Sequence, residues 1–292
     1  MSGQLKEVRL RIKSVGTTQQ ITKAMKMVSA AKLRRAQDAI TQMRPYAEKL
    51  QEMLSNIMAN VDSSAGGGLN TERPIENVLF IVITSDRGLC GGFNANSIKL
   101  AKSIIKEKYQ HLLDKGNVSI LPLGKKGFES FQKGGYKVVE DFWPIFSDLT
   151  FDKVRAVAEF ARTAFVNKQF DRVELVYSKF KNAATQEVVC EQHLPIPKPK
   201  LQQAKSSDFI FEPSKEILIS ELMPKILNTQ IFKGVLDSHA SEHGARMTAM
   251  DKATENAEEL LKTLRISYNR ARQAAITTEL TEIVSGAAAL QG

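Results

Sequence analysis

The sequence predicts an α/β protein in which a long antiparallel coiled coil, made by the two ends of the chain, is joined to a layered α/β domain. Three observations carry this reading. Both ends are long runs of helix-forming residues poor in glycine. Apolar residues within them step alternately by three and four. Between them, short β-branched runs alternate with helical segments.

The amino-terminal segment, residues 1–61, has Gly16 and Pro45 as its only helix-breaking residues after Leu5. A helix of that length reaches roughly 85 Å, far more than a compact domain needs. Leu33, Ala36, Ile40, Met43, Ala47, Leu50, Leu54, Ile57 and Val61 follow the three-four pattern without a miss, and Leu5, Val8, Ile12 and Val15 make a second run. Ile21, Met25 and Val28 lie between the two in a shifted register. Pro45 lacks an N–H and crowds the preceding turn, so a bend is expected there, not a stop.

The Gly- and Ser-rich SSAGGGLNTERP, after Val61, marks a boundary. Residues 75–200 then read as the α/β domain. Val78–Thr84 is a continuous apolar run, the signature of a strand buried on both faces. Ser97–Tyr109, Lys125–Lys133 and Phe151–Asn167 read as helices. Val118–Leu123, Tyr136–Glu140, Val173–Ser178 and Val188–Gln192 read as strands, and PIPKPK at 195–200 closes the domain. The third segment, 211–292, is helical from Ser214, with Met247, Met250, Thr254, Ala257, Leu261, Leu264, Tyr268, Ala271 and Ala275 in the same pattern. Its partner is therefore the first helix. Because the domain separates them in sequence and both must meet it, the two run antiparallel.

Composition narrows the function. No run of eighteen apolar residues occurs, and the first residues lack the apolar core of a secretory signal. Cys90 and Cys190, far apart, read as buried thiols in a reducing compartment. Residues 1–60 hold eleven Lys and Arg against four Asp and Glu, a local excess of seven within a net charge of +9. Such a face suits nucleic acid, an anionic membrane or an acidic protein surface.

Sites of chemistry are sought and not found. The loop SDRGLCGGFN, Ser85–Asn94, follows a strand and precedes a helix, but its glycines fit neither the dinucleotide nor the Walker pattern. Gly88, Gly91 and Gly92 are read instead as a tight turn that lets strand and helix pack closely. His239 and His243 are spaced like a metal pair, yet HASEH places Glu242 wrongly for a zinc protease, and polar helix-face histidines are expected. No catalytic residues, cofactor site or metal site are assigned.

Four strings in order along the chain resemble the gamma subunits of F-type ATP synthases: ITKAMKMVSAAKLRRAQ (Ile21–Gln37), RPYAE (Arg44–Glu48), SDRGLCGGFN (Ser85–Asn94) and ARQAAITTELTEIVSGAAAL (Ala271–Leu290). The resemblance implies a Rossmann-like layout for the middle domain and a rotor that does no bond chemistry. It further implies a hexamer of alpha and beta subunits around the coiled coil, one rotor per complex, and an epsilon subunit and a c-ring at the α/β domain. By resemblance, Arg272 and Gln273 meet a loop of beta, with Thr277 and Glu279 one turn on. Lys23, Met25, Lys26 and Arg246 fall where an acidic lever of beta presses. The small, apolar run containing Ile283, Val284 and Leu290 is the bearing. The regulatory insert of chloroplast relatives and a transit peptide are missing, which implies a bacterial inner membrane and attachment on its cytoplasmic side. Two other readings are a basic coiled-coil nucleic-acid-binding or scaffolding protein and an enzyme built on the middle domain. Against the first, Tyr46 is the only aromatic among residues 1–60.

Overall fold

A computed structural model describes residues 2–59, 68–197 and 215–291. The SSAGG part of the boundary segment and the end of PIPKPK lie outside the described residues. Helix α1 spans Ser2–Ala59 and continues through Pro45; α6 spans Lys215–Gln291 and continues through Pro224. Between them come β1 (Val78–Ile83), α2 (Phe93–Lys108), α3 (Gln110–Leu113), β2 (Val118–Leu123), α4 (Lys125–Lys133) and β3 (Lys137–Val138). A 3₁₀ turn at Trp143–Ser147, α5 (Phe151–Val166), β4 (Arg172–Phe180) and β5 (Gln186–Leu194) complete the order.

The strands form one five-stranded sheet, ordered β3-β2-β1-β4-β5, parallel except for the β4–β5 pair. The unbroken apolar run of β1 is explained by its two faces. Val78, Phe80 and Val82 enter one core with Ala101 and Ile105 of α2 and Phe131 of α4. Leu79, Ile81 and Ile83 enter a second core with Val154, Val157 and Phe165 of α5. That second core also takes Leu50 of α1 and Met223, Ile226, Leu227, Ile231 and Val235 of α6. The first part of α6 is thus a layer of the α/β domain, and α1 joins the same core through Leu50.

This is why the compact units cut across the sequence segments. One unit comprises residues 30–246, and the other residues 1–29 with 247–292. Within the first, serines tie α6 to β4: Ser238 Oγ accepts from Ser178 N–H and Ser241 Oγ donates to Ser178 C=O, both at 3.0 Å.

Within the second unit, the helices pair antiparallel, as Arg9 with Tyr268, Thr22 with Thr254 and Lys26 with Asp251. The register shift expected at Ile21, Met25 and Val28 is not there. Ile21 and Val28 are 54% and 58% exposed, whereas Thr22 and Ser29 are 8% and 3% exposed. The three-four stepping runs without a break from Leu5 through Gln19, Thr22, Lys26 and Ser29 to Leu50. Polar residues can occupy its middle because they are partnered there: Thr22 with Thr254 at 2.8 Å, Lys26 with Asp251, and Ser29 Oγ with Met25 C=O at 2.7 Å. On α6 the expected positions hold, with Met250, Ala257, Leu261 and Leu264 buried.

Gly124, between β2 and α4, has φ +106°, and a Cβ there would stand 2.3 Å from the Thr84 carbonyl oxygen. Gly124→Ala is therefore expected to cost upward of about 3 kcal/mol, through backbone strain and a clash with main chain that cannot yield. Chemical denaturation followed by circular dichroism would show it as a lowered midpoint with an unchanged slope.

Candidate functional site

Each residue singled out from sequence can be placed. In the unit of residues 1–29 and 247–292, Lys23 is exposed, Met25 half-buried, and Lys26 paired across the seam with Asp251. Arg272, Gln273, Thr277 and Glu279 are exposed along α6. Thr277 Oγ1 donates back to the Gln273 backbone carbonyl at 3.0 Å. Ile283 and Val284 are each 66% exposed. Leu290 lies in α6, its side chain outside the described residues. With Leu10, Ile21, Met27, Val28, Leu260, Ile266, Ile276 and Leu280, also exposed, this unit shows ten large apolar residues to solvent.

Arg246 is different. It lies in the unit of residues 30–246, is 7% exposed, and is fully engaged there. Nη1 pairs with Glu242, and Nη2 donates to the Arg87 and Gly88 carbonyls at 3.0 and 3.2 Å. Burial pushes Glu242 up and the guanidinium beside it pulls it back. Sequence reasoning missed this network, although Glu242 and Arg246 stand at the i,i+4 spacing of a helix ion pair.

The network gives the loop Ser85–Asn94 its role. Asn94 Oδ1 accepts from Ser85 N–H at 2.8 Å and Ser85 Oγ donates to Arg87 C=O at 2.6 Å. That closes the loop on itself and turns the carbonyls of residues 87 and 88 toward Arg246. Of the three glycines only Gly91 needs its freedom, at φ +57°, and Leu89 also takes a positive φ of 61°. A Cβ at Gly88 would meet nothing within 4 Å, so close packing is not its purpose. The loop offers carbonyls to a cation where a phosphate cradle would offer N–H groups.

His239 and His243 are not on an open face. His243 is buried, His239 half-buried, and their Nε2 atoms are 3.2 Å apart, so one ring donates to the other. Burial, with Lys32 and Arg246 nearby, brings His239 down to about 4. Burial, then His239 and Arg246, brings His243 to about 3. His193, fully buried, also falls to about 4. Among the described residues, no three His, Cys, Asp or Glu are grouped to hold a metal. Cys90 is buried as expected; Cys190 is only half-buried, and its thiol is pushed up to about 12 by burial and Glu174.

Helix faces and a loop pinned to a helix, with no convergent reactive groups among the described residues, define an interaction subunit. The ATP synthase family model matches residues 4–290. The chain is 53% identical to the ATP synthase gamma chain of Cytophaga hutchinsonii over 290 residues, 98% of each chain. It is 52% identical to that of Chlorobaculum tepidum over 288 residues, 98% of this chain and 99% of the other. Its fold matches a chain of the Euglena gracilis mitochondrial ATP synthase, with TM-score 0.68, 20% identity, and 99% and 95% of the two chains covered. A Tetrahymena thermophila mitochondrial ATP synthase central-stalk and c-ring structure gives TM-score 0.57 at 25% identity, covering 80% of this chain and 99% of that one. This chain belongs to the ATP synthase gamma-chain family. It is the central rotor shaft of an F-type ATP synthase, a non-catalytic and peripheral subunit of a membrane complex, whose catalytic sites lie in the beta subunits. No described helix is long and apolar enough to cross a membrane.

Two outcomes are expected. Arg246→Ala leaves Glu242 buried without its partner and frees two loop carbonyls, which costs about 3 kcal/mol or more in denaturant unfolding. The histidines set a pH dependence. Their folded values lie below the ordinary 6.5, so the unfolded chain takes up protons first. Stability is full above 6.5 and falls as pH drops toward 4, by about 2 kcal/mol per histidine between pH 7 and 5. Asp237 and Glu242, raised by burial, oppose this at the lower end. A His239→Gln/His243→Gln variant should show a visibly flatter curve of unfolding midpoint against pH.

Proposed function

We propose that the exposed faces of residues 1–29 and 247–292 are bearing surfaces inside a ring of alpha and beta subunits. The observation that carries this is the set of ten large apolar side chains left in solvent there. A surface of that kind needs a cover, and its division along two helices suits a partner that surrounds them. Around it stand Lys23, Arg272, Gln273 and Glu279, exposed and suited to charged or hydrogen-bonded contacts. Arg272 and Gln273 hold a loop of beta, and Thr277 and Glu279 extend that contact. Lys23 and Met25, with Lys26 steadied by Asp251, take the thrust of an acidic lever of beta. Contacts that are few, local and partly electrostatic grip without trapping one orientation. Ile283, Val284 and Leu290 form the slippery end.

Arg246 acts here as a positioning residue, because its guanidinium is committed to Glu242 and to the loop. The α/β domain binds an epsilon subunit and rests on a c-ring, and proton flow through the ring turns the shaft, which carries each beta site through its states in turn. The bacterial relatives support a complex on the cytoplasmic side of a cell inner membrane, with one copy of this chain in each. A nucleic-acid-binding role draws on the basic face of α1 alone, which the acidic lever accounts for equally.

Reconstitution with alpha and beta subunits tests this reading. Arg272→Ala/Gln273→Ala is expected to lower ATP hydrolysis by the complex about tenfold or more, on the scale of two lost charge-assisted or amide contacts. Ile283→Asp/Val284→Asp is expected to reduce the yield of assembled complex. Unchanged activity and yield in both would sink the assignment of these surfaces.

A further inference from the structure

One cleft in the unit of residues 30–246 gathers charge that the fold leaves unused. It encloses about 220 Å³ between Arg44 and Glu48 of α1, Lys179 and Phe180 of β4, and Lys233 and Asp237 of α6. Three cations and two carboxylates line it, an excess of one positive charge. Opposite charges sharing a cleft ordinarily close on each other. Here none of these five side chains makes a hydrogen bond or ion pair with another described residue. Asp237 is 5% exposed and is held by no hydrogen bond or ion pair, its carboxylate opening into the cleft, while Arg44, Glu48, Lys179 and Lys233 are exposed around it.

The missing partner has a definable chemistry. A metal cation is disfavoured by Arg44, Lys179 and Lys233. An apolar ligand would strand all five polar groups. The volume falls below the roughly 300 Å³ at which pockets for drug-sized ligands begin. What remains is a small anion with several acceptor oxygens. A guanidinium offers it a planar fork and each ammonium a point charge. Burial favours the protonated carboxyl of Asp237, with Lys233, Arg44 and Lys179 working against it and Glu191 of β5 with it.

We propose that this cleft binds a phosphate-sized oxyanion, held by Arg44, Lys179 and Lys233. Bound there, the anion ties α1 to β4 and α6 within the same compact unit, so it stiffens the root of the shaft. Arg44 belongs to the RPYAE string, which gives that string a role besides helix formation.

Calorimetric titration of the full chain with inorganic phosphate, at constant ionic strength set with chloride, tests the proposal. Saturable binding at one site per chain is expected. Lys179→Ala/Lys233→Ala should weaken it about tenfold or more, because two charge-assisted contacts are lost. Lys106→Ala/Lys108→Ala, an equal change of charge on α2, should leave it unaltered. Asp237→Asn, which removes a carboxylate from beside the anion, should retain or tighten binding. Circular dichroism of each variant shows that the fold is kept. Absence of saturable heat with the native chain would overturn the proposal, as would equal weakening by both lysine pairs.

Discussion

The structure depends on the burial of the first part of α6, joined by Leu50 of α1, in the core on one face of the sheet. Leu50 of α1 and five apolar residues of α6, from Met223 to Val235, share a core with β1 and α5. A shaft that merely touched its domain would turn in its socket. One whose helix α6 is a layer of that domain cannot, because rotation would expose the core, at about 25 cal/mol for each Å² of apolar surface. The polar ties reinforce this at sites where slippage would leave groups unpaired. Ser238 and Ser241 hold the backbone of β4, and Arg246 holds the carbonyls of the loop that follows β1.

Farther along the helices the seam changes character without changing register. Around Leu33, Ala36 and Ile40 it is apolar and buried. From Ser29 to Gln19 it is polar, with Thr22–Thr254 and Lys26–Asp251 as its cross-links. Polar seam positions specify alignment at some cost in stability. They also release apolar residues for the outer face, where Ile21, Met27 and Val28 stand. The proposed bearing surface asks for apolar side chains on the outer side of the rod as well as in its seam, and this part of α1 puts them on the outer one.

Much of this was legible in the residues, and the failures have physical causes. Strand β2 and helix α4 have the expected limits because Gly116, Gly124 and Gly134 punctuate them. Helix α2 starts four residues before Ser97, since FNAN has no apolar periodicity to announce a helix. The third strand shrinks to Lys137–Val138, which pairs with β2 only at Ser119 and Ile120. The seam at Ile21 and Val28 was misread because hydrophobicity was followed where the interior is polar. The contact residues on α6 carry no local signal and came from resemblance alone. The Arg246 network needed three dimensions, since Arg87 and Gly88 are more than 150 residues away from it in sequence.

The most direct test of the central claim, that this chain turns as a rigid shaft, is single-molecule observation of the reconstituted complex. The alpha and beta ring is fixed to a surface and a bead is attached through a cysteine introduced on an exposed position of the α/β domain, such as Lys106. The account predicts unidirectional stepping of the bead that requires ATP and stops when ATP is removed. Sustained hydrolysis with a bead that only fluctuates in place would contradict it.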